Sequence, residues 1–124
     1  MLSSSKVKQL VQNYFEENKN IEFGYIFGSY ADETFNDRSD VDVAIYLKEG
    51  SFDIELSIHF ELSRLLDKDV DLVILNKAKN LYLLEDIVTK GILLKDHDKR
   101  FDFEIRKHHQ YIDYIEFKKR INAS

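Results

Sequence analysis

Apolar residues recur along this chain with two different periods, and each change of period marks a new element. Val7, Leu10, Val11, Tyr14 and Phe15 fall at helical spacing behind a serine cluster able to cap, which predicts a helix over Ser5–Glu17. A polar break over residues 16–20 follows. Ile21–Phe27 reads as a strand with Phe23, Tyr25 and Phe27 on one face, closed by Gly28. Residues 29–36 fit a short helix, and Asn36–Ser39 a polar turn. From Asp40 to Leu47 the alternation is clean: Asp40, Asp42, Ala44 and Tyr46 share one face, and Val41, Val43, Ile45 and Leu47 the other. The aliphatic face belongs under a helix. After a turn at Lys48–Ser51, Ile54, Ile58, Leu62, Leu65 and Leu66 form a helical stripe.

The same logic continues to the end. Asp69–Leu75 reads as a third strand, with Asp69 and Asp71 opposite Val70, Leu72 and Ile74. Leu81–Thr89 reads as a helix, Gly91–Lys95 as a short strand and Lys99–Arg120 as a long terminal helix. In that helix Phe101, Ile105, His108, Ile112 and Ile115 step by four and three, as an apolar seam does. Phe103, Tyr111, Tyr114 and Phe117 add aromatics away from the seam, so the helix either sits deep in a core or meets a second surface. The alternation of helices and strands predicts an α/β (α+β) fold, a mixed sheet of about four strands covered by helices.

Composition narrows the function. A length of 124 residues suits a single domain spanning 1–124, and 44% apolar residues suffice for a core. The net charge of −5 argues against stable nucleic-acid binding through a basic surface. With no cysteine there is no disulfide, thiolate metal site or thiol nucleophile, which fits the cytoplasm. No apolar run is long enough for a membrane span, and the N-terminus lacks an apolar signal core. Proline is absent and glycine occurs only four times, so long linkers are not expected.

The chemistry concentrates in one stretch, from Gly28-Ser29 to Asp40-Val41-Asp42. A tight bend at glycine brings backbone N–H groups against a phosphate. Carboxylates at i and i+2 on a strand share a side and suit a hard divalent cation such as Mg2+. An isolated Asp-x-Asp is ordinarily a solvent-facing pair. Here it follows Gly-Ser at a fixed interval and precedes a third strand bearing Asp69 and Asp71, either of which can supply a third carboxylate.

Gly-Ser-x10-Asp-x-Asp between two predicted strands, with an acidic third strand, resembles the nucleotidyltransferase superfamily of DNA polymerase beta. The short chain is similar to its minimal nucleotidyltransferases, many of which are antitoxins paired with HEPN-domain ribonuclease toxins. The resemblance covers roughly residues 5–96. It implies that Gly28 and Ser29 hold the β- and γ-phosphates of ATP. It implies that Asp40, Asp42 and Asp71 bind Mg2+, as a pair of ions, and form the catalytic triad. It favours Asp71 over Asp69, which becomes a strand-entry turn residue. The implied activity is transfer of AMP to a tyrosine of the cognate toxin, with helix 99–120 available for partner contact.

Relatives often read Gly-Ser-x-Ala-Arg-Gly in the loop; here it reads Gly-Ser-Tyr-Ala-Asp-Glu. Asp32 and Glu33 stand where a cation helps, and both are expected to repel a triphosphate, with Arg38 as the available substitute. A binding-only antitoxin is therefore the alternative, with a small-molecule nucleotidyltransferase as a third reading. The histidines look structural: His59 on an amphipathic helix, His97 in a polar turn, and His108-His109 adjacent and so pointing apart.

Overall fold

The computed structural model describes residues 3–122. Its elements run α1 (Ser4–Glu17), β1 (Ile21–Phe27), α2 (Ser29–Asp32), β2 (Val41–Leu47), α3 (Phe52–Leu66), β3 (Val70–Ile74), α4 (Leu81–Lys90), β4 (Ile92–Lys95) and α5 (Asp98–Asn122). Side-chain caps start three of the helices: Ser3, Ser51 and Asn80 accept the N–H groups of Lys6, Ile54 and Leu83. The expected elements are present, with ends displaced by a residue or two. The largest change is in α2, which is only four residues long because Glu33 adopts a left-handed conformation and ends it.

The four strands form one sheet in the order β3-β2-β1-β4. β1 lies antiparallel to both β2 and β4, whereas β2 and β3 run parallel. The parallel pair needs a crossover, which α3 supplies. Alternation sends the two strand faces into two cores. Val41, Val43, Ile45 and Leu47 pack with Val7, Val11 and Phe15 of α1 and Ile58, Leu62 and Leu66 of α3. On the other side Phe23, Tyr25 and Ala44 meet Leu84 and Ile87 of α4 and Phe103 of α5. The aliphatic face of β2 is thus covered by helices, as its pattern predicted.

The terminal helix departs from expectation. Its stepped seam does not face the core: Phe101 is 65% exposed, and Ile105 and Ile112 are each 41% exposed. The buried anchor is Phe103, from the other aromatic set, which packs against Phe23 and Tyr46. Farther along, Tyr111 and Tyr114 pack edge-on to Tyr82 of α4. The reason is geometric. A helix of 25 residues outruns a four-stranded sheet, so only its first turns reach the sheet. The histidines are tied into the structure: His59 Nε2 donates to the Val70 carbonyl, His97 meets Glu22 and His108 meets Glu85.

One polar atom in the core lacks a partner. The Tyr30 hydroxyl is buried and, among the described residues, makes no hydrogen bond, while its ring stacks on Phe35 at 4.4 Å. A buried unmet hydroxyl costs about 1–3 kcal/mol, so the ring and not the hydroxyl holds this site. Tyr30→Phe is expected to leave the thermal midpoint unchanged or raise it by a few degrees, read by calorimetry. A clear fall would mean that the hydroxyl has a partner.

Candidate active site

The parallel register of β2 and β3 decides where the acidic residues meet. Val41 pairs with Val70 and Asp42 with Asp71, so these two carboxylates stand opposite each other on neighbouring strands. The Val41 N–H donates to the Asp69 carbonyl at 3.0 Å and fixes that register at the strand entrance. Asp40 lies one residue before β2, at the same end, close enough for its charge to act on Asp42. Asp42 is half-buried; Asp40 and Asp71 are exposed. Burial first, then the charges of Asp71 and Asp40 and a hydrogen bond shared with Asp71, together push the Asp42 carboxyl up to about 6. Among the described residues no group of three acidic, histidine or cysteine side chains is placed to hold a metal ion by itself. The cluster is an open one, and Mg2+ is characteristically held by one or two carboxylates, with waters and substrate phosphates filling the other positions.

Asp69 takes a different position from Asp71. It precedes β3, and its side chain lines a cleft of about 590 Å3 with Asp37, Arg38, Asp40, Arg64 and Lys68. Arg38 therefore opens onto the same cleft as Asp40, on a turn held by its own polar groups. The Arg38 N–H donates to Asn36 Oδ1, the Asn36 N–H donates to Ser39 Oγ, and Lys68 donates to the Asp37 carbonyl. Arg64 and Lys68 are basic neighbours that sequence reasoning missed. They lie more than twenty residues from Arg38, on α3 and the turn after it, and no local pattern links them.

Gly28 meets the carboxylates from β1, whose last residue, Phe27, pairs with Asp42. Its φ of 68° and ψ of −147° are open to glycine, and a Cβ there would collide with the Asp42 carboxylate. Ser29 follows at the start of α2. The acidic pair behind it is not aimed at this site as the sequence suggested. Glu33 accepts from Lys8 Nζ at 2.8 Å and from Ser4 Oγ at 2.9 Å, both on α1. These bonds hold its carboxyl below the usual range. Asp32 accepts from the backbone and hydroxyl of Thr34. Both carboxylates are thus engaged within the loop or with α1, and the expected repulsion of a triphosphate is correspondingly weakened.

Because folding raises the Asp42 pKa above its unfolded value of 3.8, the native state binds the extra proton. The stability from this group is full below about pH 4 and is lost as pH rises through about 6. With chelator present, Asp42→Asn should raise the thermal midpoint at pH 7.5 and flatten its fall between about pH 4 and 6. After discounting for solvent, the gain is on the order of 1 kcal/mol. An unchanged pH profile would show that burial and the neighbouring carboxylates do not raise the Asp42 carboxyl.

Known proteins resemble the chain in sequence and in fold. The family model described as Polymerase beta, Nucleotidyltransferase matches residues 9–100. The protein adenylyltransferase MntA of Shewanella oneidensis is 31% identical over 91 residues, 73% of this chain and 63% of that protein. A crystal structure of a toxin–antitoxin complex with AMP-PNP contains a chain of the same fold, with a TM-score of 0.76 and 26% identity, covering 98% of this chain and 97% of that one. Another, of a tri-AMPylated Shewanella oneidensis HEPN toxin in complex with MNT antitoxin, is similar in fold alone, with a TM-score of 0.71 and 24% identity over 94% and 96% of the two chains. The match spans the glycine bend, both acidic strands and the crossover helix between them, and with it the chain belongs to the Polymerase beta nucleotidyltransferase family.

Proposed function

We propose that this protein is a Mg2+-dependent adenylyltransferase antitoxin, which transfers AMP from ATP to a tyrosine of a HEPN-domain toxin and so silences it in the cytoplasm. The observation that carries this reading is Asp42 facing Asp71 beside Gly28, in a chain of this family. The similarity to a named protein adenylyltransferase and to toxin–antitoxin complexes supports the acceptor class.

In this reading Gly28 and Ser29 bind the β- and γ-phosphates, and Arg38 lies at the edge of the site as a counter-charge. Asp40, Asp42 and Asp71 would hold Mg2+, which when bound neutralises charge on the phosphates and on the departing pyrophosphate. The open cluster fits that role, since its mutual repulsion leaves it short of positive charge. The tyrosine oxygen attacks the α-phosphorus in line, the bond to the bridging oxygen breaks, and pyrophosphate leaves. Asp71, on the exposed side of the pair, orients the hydroxyl and accepts its proton. Positioning and charge neutralisation carry most of the acceleration.

The chain is proposed to act as one domain, with α5 as its partner-contact element. Phe101 and Phe117 on that helix are 65% and 55% exposed, more apolar surface than a lone helix end needs.

With purified toxin, ATP and Mg2+, intact-mass analysis should show the toxin gaining whole AMP units. Asp40→Ala with Asp42→Ala should cut the rate by about a hundredfold or more while keeping the fold and the complex. An unmodified toxin in an intact wild-type complex would refute transfer and leave neutralisation by docking. Phe101→Asp with Phe117→Asp should weaken the complex by about tenfold or more without lowering the thermal midpoint. Unchanged affinity would remove α5 from the interface.

A further inference from the structure

The loop after Gly28 contains a backbone conformation that its residue does not favour. Glu33 sits at φ 65°, ψ 25°, in the left-handed region that glycine enters most readily. Apart from glycine, only Glu33 and Asp67 take positive φ among the described residues. That conformation caps α2, with the Glu33 and Thr34 N–H groups both donating to the Ser29 carbonyl, and the Glu33 side chain adds a second hold.

The tether is α1. Lys8 Nζ and Ser4 Oγ both donate to Glu33 Oε1, at 2.8 and 2.9 Å. The Ser4 hydroxyl also lies 3.3 Å from the Tyr30 carbonyl, and Ser4 itself is buried. The Thr34 N–H returns to the Ser29 carbonyl at 3.0 Å. Ser29 is therefore one hydrogen bond away from a segment pinned to α1 by an ion pair and a buried hydroxyl. Gly28 fixes the other end against Asp42. The loop is held from both sides, and only the α1 side depends on a side chain that glycine at this position would lack.

We infer that Glu33 is a positioning residue: its tether to Lys8 and Ser4 fixes the loop bearing Ser29 and thereby sets the affinity of the site for the triphosphate of ATP. Glu33 touches no reacting group; it acts through the loop, and its charge is spent on Lys8. The inference rests on the nucleotide site proposed above.

Two variants separate backbone from tether. Glu33→Gly keeps the left-handed turn and removes the bonds, whereas Lys8→Met removes the ion pair and leaves Glu33 in place. Full-length proteins are compared for binding of fluorescent ATP, for KM and kcat of transfer, and for hydrogen exchange of the amides of residues 29–34. Both variants should keep the wild-type thermal midpoint within a few degrees, bind ATP about threefold or more weakly, raise KM by the same factor with kcat within about twofold, and exchange faster over the loop. The swap Lys8→Glu with Glu33→Lys should recover most of the lost affinity. Wild-type affinity and exchange in Glu33→Gly and Lys8→Met together would overturn the inference while leaving the nucleotide site standing. Failure of the wild-type protein to bind ATP at all would overturn the site itself.

Discussion

Three like charges crowded at one end of a sheet are the feature on which the rest of the structure depends. Parallel pairing of β2 and β3 sets Asp42 opposite Asp71, and Asp40 enters at the same edge. Left to itself such a cluster is unfavourable, and the Asp42 carboxyl is pushed up by its burial first and by the charges of Asp71 and Asp40 after that. The fold keeps it by anchoring the backbone on both sides of the sheet. Val41, Val43 and Ile45 are sealed under α1 and α3, while Ala44 is sealed under the opposite layer. The carboxylates cannot separate without breaking that packing. Acidic pressure of this kind is what a divalent cation relieves, and a cation held there would in turn attract a triphosphate, which is the physical link between the sheet and the proposed chemistry.

The phosphate loop shows how a departure from a family pattern can be absorbed. Two acidic residues in a loop proposed to meet a triphosphate look disqualifying when read along the chain. In three dimensions Glu33 is neutralised by Lys8, and Asp32 is taken up by Thr34. The neighbouring cleft brings Arg38, Arg64 and Lys68 together with Asp37, Asp40, Asp67 and Asp69, so three basic groups lie beside the acidic ones at this edge.

Much of this was legible in the sequence because period and spacing are local. Alternation over Asp40–Leu47 assigned both faces of β2 correctly, and the pairing of Gly28-Ser29 with Asp-x-Asp singled out two segments that the fold brings together, Gly28 against Asp42. The choice between Asp69 and Asp71 was not local: both share a face, and only the register with β2 sets Asp71 against Asp42. The Lys8–Glu33 bond joins residues 25 apart and leaves no trace in either segment. The terminal helix was left open between a core and a second surface for a related reason. Its seam satisfies helical spacing, but which stripe meets the sheet depends on where the helix starts, and that start brings Phe103 inward in place of Phe101.

The central claim is that Asp42 and Asp71, and not Asp69, are the groups that hold a divalent cation with the nucleotide. Mn2+ binding followed by electron paramagnetic resonance, in the presence of a non-hydrolysable ATP analogue, tests it directly. Asp71→Asn is expected to weaken Mn2+ binding by about tenfold or more, while Asp69→Asn leaves it near wild type. Loss of Mn2+ in Asp69→Asn with retention in Asp71→Asn would contradict the claim.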